Sequence, residues 1–300
     1  MSKDALRGVL RDNEPMASHV SWRAGGVAAH TYVPADLDDL AAFLRQLPET
    51  EPLLMVGLGS NLLIRDGGYR GTVVFTHNAL KALRIEGNGL VYAEAGVASP
   101  KLARFAATHQ LGGGEFFAGI PGTLGGALAM NAGCHGGETW ERVVKVLMLD
   151  RRGRFAERNA AEFAFSYRHV DWSSADREIF AAAWLRFPPG ETAAVRQRIK
   201  SLLQRRIDTQ PLQLPNAGSV FRNPPGDYAA RLIEAAGLKG ASEGGARVSE
   251  KHANFIVNPD GTATASEIEM LIGRIQATVR ERFGIELVRE VRIFGVETQR

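Results

Sequence analysis

The sequence has little cysteine and no long apolar run. Cys134 is the single cysteine among 300 residues. It can form no internal disulfide, and zinc or iron–sulfur sites built from several cysteines are excluded. No stretch approaches the roughly 18 apolar residues of a membrane-spanning helix, and the N-terminus lacks the apolar segment of a secretory signal. We therefore predict a cytoplasmic protein with no membrane insertion and no metal site.

A strong excess of one charge sign is also missing. The chain has 36 Lys and Arg against 33 Asp and Glu, a net charge of +3. Basic residues occur in isolated pairs such as Arg151-Arg152 and Arg205-Arg206, which are more typical of a solvated surface than of a phosphate-binding track. The composition therefore argues against nucleic-acid binding and is compatible with a small anionic ligand.

The two commonest nucleotide-binding motifs are absent. No G-x-x-x-x-G-K-[ST] sequence occurs, and the GLGSN stretch does not fit the G-x-G-x-x-G pattern of a dinucleotide-binding fold. The chain instead has two other glycine-rich segments, Gly57 to Asp66 after an apolar strand and Gly119 to Gly137.

Glycines inside the second segment indicate a close approach. Gly125 and Gly126 lie in a predicted short helix, where each costs about 1 kcal/mol relative to alanine. Such glycines either admit a ligand or pack tightly against a sheet. Because unpaired backbone N–H groups at glycine-rich turns bind anions, the two segments together could hold one diphosphate.

Apolar periodicity predicts an α+β fold. Asp36 should cap one helix, and Ser99 should cap another that has Pro100 at its first helical position. Strands are predicted at 143–149, 153–157 and 179–187, arranged as a meander. Because strands and helices do not alternate strictly, a doubly wound parallel sheet is not expected.

The second half of the chain contains clear helix boundaries. A basic amphipathic helix at Thr192–Ile207 is interpreted as a solvated linker rather than a nucleic-acid or membrane binder. Thr264 and Glu267 form a capping box for a long helix that ends at Gly284. Asp227 should cap the helix that precedes this long helix. A strand at Glu290–Val296 should follow the long helix. We predict domains at residues 1–195 and 200–286, with the strand at 287–300 returning to the first.

Three side chains could carry chemistry, but none is decisive alone. Ser219 follows a glycine in a turn, where a serine is usually a cap. Arg168 lies between Tyr167 and His169, where arginine is most often a surface residue. Glu290 lies in a predicted strand next to arginines, which suggests either an ion pair or an active-site acid.

Taken together, six stretches in this order resemble the UDP-N-acetylenolpyruvoylglucosamine reductase (MurB) family. They span about Ser18 to Gly295 and are VGLGSNLLIRD, GIPGTLGGALAMNAG, FSYRHV, PNAGSVFRNP, LIEAAGLKG and REVRIFG. The resemblance implies a two-subdomain FAD-binding unit of the vanillyl-alcohol-oxidase (PCMH) type, followed by a smaller α+β substrate-binding domain. The chain looks like the second type of the family, which lacks a tyrosine-bearing loop.

The resemblance also implies an activity and its participants. NADPH would reduce a non-covalently bound FAD, and the flavin would reduce UDP-N-acetylglucosamine enolpyruvate to UDP-N-acetylmuramate in peptidoglycan synthesis. A monomer is expected.

Site residues follow from the resemblance position by position. The implied catalytic residues are Arg168, Ser219 and Glu290. The implied cofactor-binding residues are Gly57, Gly59, Ser60, Asn61, Leu62, Gly119, Ile120, Pro121, Gly122, Thr123, Gly125, Gly126, Asn131 and Gly133. The implied substrate-binding residues are Tyr167, Asn223, Lys239 and His252.

The chain departs from the family pattern at two places. His252 stands where some relatives have glutamine, and Cys134-His135 stands where Ala-Tyr is familiar. Another FAD-dependent oxidoreductase of the same fold, with oxygen as acceptor and a covalent flavin tether at Cys134 or His135, is the alternative enzyme. A non-catalytic UDP-sugar-binding protein is the alternative outside enzymes.

Overall fold

The structure is a computed structural model that describes residues 5–87, 89–172 and 178–298. Its residues form two compact units, each built from several segments of the chain. Unit 1 comprises Met1–Arg11, Thr31–Gly57 and Thr72–Arg205. Unit 2 comprises Asp12–His30, Leu58–Gly71 and Arg206–Arg300. This division differs from the predicted one, because two N-terminal segments belong to unit 2 and the boundary follows Arg205.

The described residues contain short strands and six α-helices. The strands are β1 (Val9–Pro15), β2 (Val27–Val33), β3 (Leu53–Val56), β4 (Leu62–Ile64), β5 (Tyr69–Phe75), β6 (Leu83–Ile85), β7 (Leu90–Glu94), β8 (Gly133–Cys134), β9 (Gly137–Glu138), β10 (Val143–Asp150), β11 (Phe155–Asn159), β12 (Ala164–Ser166), β13 (His169–Asp171), β14 (Glu178–Arg186), β15 (Ser242–Glu243), β16 (Ala246–Val248), β17 (Ile256–Val257) and β18 (Arg292–Phe294). The helices are α1 (Leu37–Gln46), α2 (Ser99–Thr108), α3 (Leu124–Ala129), α4 (Thr192–Thr209), α5 (Ala229–Ala235) and α6 (Ala265–Phe283). No helix of the described residues is both long and apolar enough to cross a membrane.

Two sheets carry most of the strands. A four-stranded sheet has the order β1-β2-β5-β3, in which β3 and β5 are parallel. A five-stranded antiparallel sheet has the order β11-β10-β14-β7-β6. The predicted meander is wrong, because β10 lies between β11 and β14. The segment that contains the β12–β13 hairpin separates β11 from β14 along the chain, so β14 pairs with the other edge of β10.

The predicted start of α1 is confirmed. The Asp36 side chain accepts a hydrogen bond from the Asp39 N–H at 2.9 Å, as an N-cap does. The buried Asp39 carboxylate accepts from the Arg7 N–H, the Ala35 N–H and the Tyr32 hydroxyl at 2.7 to 2.9 Å. Burial alone would raise the pKa of Asp39, but these hydrogen bonds outweigh it and lower the pKa.

Two other predicted helix caps are wrong by one residue. The N-cap of α2 is Ala98 rather than Ser99, which is instead the first helical residue with its hydroxyl buried. The N-cap of α5 is Tyr228, and the Asp227 carboxylate accepts from the Tyr228 N–H at 2.7 Å. Both errors shift the start of the helix without changing its existence, because a serine or aspartate competes for several nearby N–H groups.

Helix α4 is longer than the predicted Thr192–Ile207 helix by two residues. Its apolar side chains Val195 and Ile199 are buried in the core of unit 1, so this part of the helix packs against the unit. The basic residues of α4 leave the rest of its surface polar, as its amphipathic pattern predicts.

Helix α6 forms the centre of unit 2. The predicted capping box is present, with the Thr264 hydroxyl accepting from the Glu267 N–H, and Gly284 ends the helix at φ 68°. The predicted inward face is buried and comprises Ile268, Leu271, Ile272, Ile275 and Val279. The C-terminal strand β18 is shorter than predicted and pairs in parallel with β4. It therefore returns to the N-terminal half of the sequence, but to a segment that belongs to unit 2.

Two residues that follow β4 hold the start of α6. The Asp66 carboxylate accepts from the backbone N–H groups of Ala265 and Ser266 at 2.9 and 2.8 Å. The Arg65 guanidinium donates to both carboxylate oxygens of Glu269, each at 2.8 Å. The two bonds to Asp66 satisfy helix N–H groups that have no partner within the helix, and the Arg65–Glu269 pair ties a side chain of the next turn of α6 to the same segment.

We expect Asp66→Ala to lower the free energy of unfolding by about 1–2 kcal/mol, because two N–H groups of the first turn of α6 lose their acceptor. Urea denaturation followed by circular dichroism measures this change. Asp260→Ala is the matched control, since Asp260 is exposed in a turn. Equal effects of the two substitutions would contradict the capping role of Asp66.

Candidate active site

In unit 1 the two glycine-rich segments meet at Gly57. A Cβ built on Gly57 would overlap the Thr123 side chain, so the contact requires glycine. Helix α3, which follows Thr123, packs on the end of β7. There the Gly125 N–H donates to the Ala95 carbonyl at 2.8 Å. A Cβ on Gly125 would lie 2.9 Å from the Ala95 Cβ. Gly57 and Gly125 are therefore packing glycines.

Gly126 differs from its neighbour. It is exposed, and no heavy atom lies within 4 Å of the position that a Cβ would take. The Thr123 hydroxyl, one turn earlier, is buried and has no hydrogen-bond partner among the described residues. Buried hydroxyls are normally paired, so an unpaired one beside an open glycine indicates a place for a ligand.

The other predicted residues of this segment are divided between core and surface. Gly119 and Ile120 are buried, Pro121 is exposed, and the Gly122 carbonyl accepts from the Ser99 N–H at 2.9 Å. These residues fix the path of the backbone into α3.

The remainder of the first glycine-rich segment lies in unit 2. Gly59 has φ 59° and its carbonyl accepts from the Ser21 N–H at 3.1 Å. Ser60 is partly exposed and Leu62 begins the buried strand β4. The Asn61 side-chain amide donates to the Glu290 backbone carbonyl at 3.1 Å, and the Asn61 backbone carbonyl accepts from the Arg292 N–H at 3.0 Å. The segment is thus tied to the backbone that carries Glu290.

Unit 2 brings Ser219 and Glu290 close along paired backbones. Phe221 and Arg289 form an antiparallel bridge, and the Glu290 N–H donates to the Val220 carbonyl at 2.8 Å. Gly218, at φ 75°, donates its N–H to the Asn216 side chain at 2.9 Å and turns the chain into Ser219. Both predicted catalytic side chains of this unit are half-buried.

Unit 1 carries Arg168 at the tip of the β12–β13 hairpin. Its backbone is left-handed, with φ 56°, which is uncommon for a residue with a side chain. The guanidinium donates to the Gly133 carbonyl at 2.7 Å and to the Asn131 carbonyl at 3.5 Å. Its Cζ lies 5.1 Å from the centroid of the Tyr167 ring, which is 45% exposed. The hairpin therefore holds Arg168 against the second glycine-rich segment.

Asn131 joins these parts of unit 1. Its fully buried amide nitrogen donates to the Glu138 carboxylate at 2.8 Å and to the Ser166 carbonyl at 3.1 Å, and its oxygen accepts from the Trp140 N–H at 3.1 Å. Both amide hydrogens are used inside the protein. The sequence predicts Asn131 as a cofactor ligand, whereas the geometry gives its side chain a positioning role for the Arg168 hairpin.

The predicted substrate residues Asn223, Lys239 and His252 all lie in unit 2. The Asn223 side-chain oxygen accepts from the Ala229 N–H at 3.1 Å, which leaves its amide nitrogen for a ligand. The Lys239 ammonium lies 3.1 Å from a Glu234 carboxylate oxygen. The His252 Nδ1 is buried without a hydrogen-bond partner in the described part of the chain.

Burial lowers the pKa of His252 below its ordinary value of 6.5, and the Lys239 ammonium lowers it further. The folded protein therefore holds His252 neutral at pH values where the unfolded chain protonates it. This contribution to stability is complete above pH 6.5 and is lost as the pH falls below that value.

We expect the urea midpoint of the natural protein to fall more than that of His252→Gln between pH 7.5 and pH 5.5. Glutamine keeps a polar side chain of similar size but has no proton to gain, so it isolates the titration. The measurement is urea denaturation of both proteins across this range. Parallel pH profiles would contradict a lowered pKa for His252.

Arg142 was not among the predicted site residues. Its Nε is buried and has no hydrogen-bond partner among the residues that the structure describes. Nothing in the local sequence singles it out, because one arginine before an apolar strand is common.

The chain matches two protein families over most of its described length. Residues 28–157 match the family described as an FAD binding domain, and residues 210–294 match the family described as the UDP-N-acetylenolpyruvoylglucosamine reductase C-terminal domain.

Full-length relatives carry the same description. A UDP-N-acetylenolpyruvoylglucosamine reductase from Thiobacillus denitrificans is 56% identical over 303 residues, covering 97% of this chain and 93% of the relative. One from Legionella pneumophila is 56% identical over 289 residues, covering 96% of this chain and 93% of the relative. A crystal structure of the reductase from Thermus caldophilus superimposes with a TM-score of 0.81 at 29% identity, covering 97% of this chain and all of that one.

Proposed function

Because this chain belongs to the UDP-N-acetylenolpyruvoylglucosamine reductase family, we propose how its own residues perform the family's reaction. The enzyme is a UDP-N-acetylmuramate dehydrogenase that uses FAD and NADPH in peptidoglycan precursor synthesis. The observation that carries this conclusion is 56% identity over 97% of the chain. We infer a cytoplasmic monomer.

The residues of unit 1 fit an FAD. We assign its diphosphate to the backbone from Gly122 to Gly126, with the buried Thr123 hydroxyl as a donor and the open face of Gly126 as the place of closest approach. Gly57 and Gly125 contribute to this site because they allow the neighbouring segments of unit 1 to pack closely. Held there, FAD would supply the hydride-transfer chemistry that links NADPH to the enolpyruvyl group.

Ser219 is assigned as the proton donor to the α-carbon of the substrate. Its hydroxyl is a weak acid and donates usefully only to a strongly basic carbon held close to it. The turn at Gly218 and the pairing of Val220 with Glu290 restrict where this hydroxyl lies. Such restriction is what an unactivated hydroxyl requires in order to act as an acid.

Arg168 and Glu290 are assigned to the carboxylate end of the substrate, where negative charge grows as the hydride arrives. A guanidinium presents a planar pair of donors that suits a carboxylate, and two backbone carbonyls already orient it. Glu290 helps only when its carboxyl carries a proton, because an ionised carboxylate would repel the growing charge.

Unit 2 is assigned to the UDP-sugar. The Lys239 ammonium is a counter-ion for the diphosphate, and Asn223 keeps one amide nitrogen for hydrogen bonding. The unpartnered Nδ1 of His252 gives a further polar contact, in its neutral form at pH 7. Tyr167 of unit 1 is assigned to the same substrate.

We expect Ser219→Ala to leave reduction of the flavin by NADPH nearly intact and to slow its reoxidation by the enolpyruvyl substrate about 10²- to 10⁴-fold, as loss of a general acid does. Anaerobic stopped-flow absorbance separates the two half-reactions. Ser242→Ala is the control, because Ser242 is exposed on β15. Equal slowing of both half-reactions would exclude Ser219 as the proton donor.

We expect Gly126→Val to purify with little FAD while its apoprotein unfolds at nearly the same temperature as the natural apoprotein. The new side chain enters the space assigned to the flavin, and its Cβ meets no protein atom within 4 Å. Flavin absorbance per mole of protein measures the loss. Gly273→Val is the matched control, since Gly273 is an exposed helical glycine with equally open surroundings on α6. A fully yellow Gly126→Val protein would refute the placement.

A further inference from the structure

The turn that carries Arg168 has an unusual backbone. Ser166 pairs with His169 in the β12–β13 hairpin, so Tyr167 and Arg168 alone form its turn. The second residue of this turn is left-handed, since Arg168 has φ 56°. Glycine adopts this conformation without strain, whereas a residue with a side chain keeps it only where the surrounding structure holds it. The contacts around this turn therefore decide where the guanidinium lies.

The second glycine-rich segment holds the turn at its tip and at its base. At the tip, the Arg168 guanidinium donates to the backbone carbonyls of Gly133 and Asn131 at 2.7 and 3.5 Å. At the base, the Asn131 side-chain amide donates to the Ser166 carbonyl at 3.1 Å. A single residue, Asn131, thus contacts both the strand that enters the turn and the guanidinium that the turn presents.

A carboxylate sets the orientation of the Asn131 amide. The amide nitrogen donates its second hydrogen bond to the Glu138 carboxylate at 2.8 Å, and the amide oxygen accepts from the Trp140 N–H at 3.1 Å. An ionised carboxylate and a backbone carbonyl only accept, and a backbone N–H only donates. The amide therefore fits in one orientation, with its nitrogen toward Glu138 and Ser166. Without Glu138, a hydrogen of this fully buried side chain loses its acceptor.

Glu138 also lies opposite the residue that receives the guanidinium. Gly133 and Glu138 are partners in the β8–β9 ladder. A Cβ built on Gly133 would overlap the Gly137 carbonyl oxygen and lie 3.1 Å from the Glu138 Cα, so this close pairing requires glycine. The half-buried Glu138 therefore supports the Asn131 side chain and also pairs with the strand residue whose carbonyl accepts from Arg168.

We propose that Glu138 is a positioning residue for the reduction of the enolpyruvyl substrate. Its carboxylate fixes the Asn131 amide, and the amide fixes the turn that presents Arg168 to the carboxylate end of the substrate. Glu138 acts as a hydrogen-bond acceptor, so a neutral acceptor of the same length can replace it. This inference rests on the role of Arg168 in the proposed function.

The first experiment measures both half-reactions by anaerobic stopped-flow absorbance. We expect Glu138→Ala to slow flavin reoxidation by the enolpyruvyl substrate about 10- to 100-fold, as loss of a hydrogen bond to a charged group does. Flavin reduction by NADPH should stay unchanged, because no substrate carboxylate takes part in it. Glu138→Gln keeps an acceptor oxygen toward Asn131 and should restore most of the rate. Glu157→Ala is the control, since Glu157 is an exposed glutamate paired with Lys145 in the same unit.

The second experiment combines the substitutions at Glu138 and Arg168. In the Arg168→Ala background no guanidinium remains to be positioned, so Glu138→Ala should cause no further slowing of reoxidation. Two independent effects would instead multiply. Flavin content and unfolding temperature show that each variant is folded. Glu138→Asp, which keeps the charge but withdraws the carboxylate by one methylene, gives the same comparison if the alanine variant does not fold.

The third experiment measures binding without turnover. Calorimetric titration of the oxidised protein compares the enolpyruvyl substrate with UDP-N-acetylglucosamine, which lacks the carboxylate. We expect Glu138→Ala to lower the preference for the enolpyruvyl substrate about 10-fold or more and to leave the affinity for UDP-N-acetylglucosamine unchanged.

Distinct outcomes separate the possibilities. Equal slowing of both half-reactions, or an undiminished effect of Glu138→Ala in the Arg168→Ala background, would show a purely structural role and overturn the proposal. Failure of Glu138→Gln to restore the rate would show that the charge is required and would overturn the acceptor role. If the enolpyruvyl substrate does not reoxidise the flavin of the natural protein, the proposed function itself fails. An active natural protein whose Glu138→Ala variant equals it refutes this inference alone.

Discussion

The hydrogen bonds of one buried amide, that of Asn131, connect the parts of unit 1 on which the candidate site depends. The side chain links the end of the second glycine-rich segment to the strand before Arg168 and to the turn at Trp140. Arg168 in turn donates to carbonyls of the same segment. Because every polar atom of this buried group is paired, loss of any member leaves a buried partner unsatisfied. The segment predicted to position a cofactor is thereby also the support of a predicted catalytic residue.

In unit 2, too, side chains connect distant segments, here through hydrogen bonds to backbone groups and through an ion pair. Asn61 fixes the backbone that carries Glu290, which lies just before β18, and Asp66 and Arg65 fix the start of α6. A single short stretch of sequence after Gly57 therefore anchors two distant parts of the chain. This explains physically why a glycine-rich turn is followed directly by polar residues and then by a buried strand.

Two of the unpaired buried polar atoms, on Thr123 and His252, belong to residues that are assigned to ligands. The Thr123 hydroxyl, the Arg142 Nε and the His252 Nδ1 all lack partners in the described residues. Buried polar groups are paired in most folded proteins, so these exceptions call for an explanation. Binding of an anionic nucleotide supplies one for Thr123 and His252, which are assigned to FAD and to the UDP-sugar respectively.

Local sequence determined the features that depend on neighbouring residues. The caps at Asp36 and Thr264, the inward face of α6 and the ending at Gly284 follow from side chains that interact within a few residues, and all are present. The family followed from six short stretches in a characteristic order. The tertiary structure alone decided which distant backbones meet. It placed β14 beside β10 rather than β11, and it placed residues 58–71 in unit 2. It also gave the Asn131 side chain its role in supporting the Arg168 hairpin. Arg142 belongs to the same class, because whether a charge is paired depends on residues far away in the sequence. Pairing over long separations is set by the packing of whole elements, which no local pattern encodes.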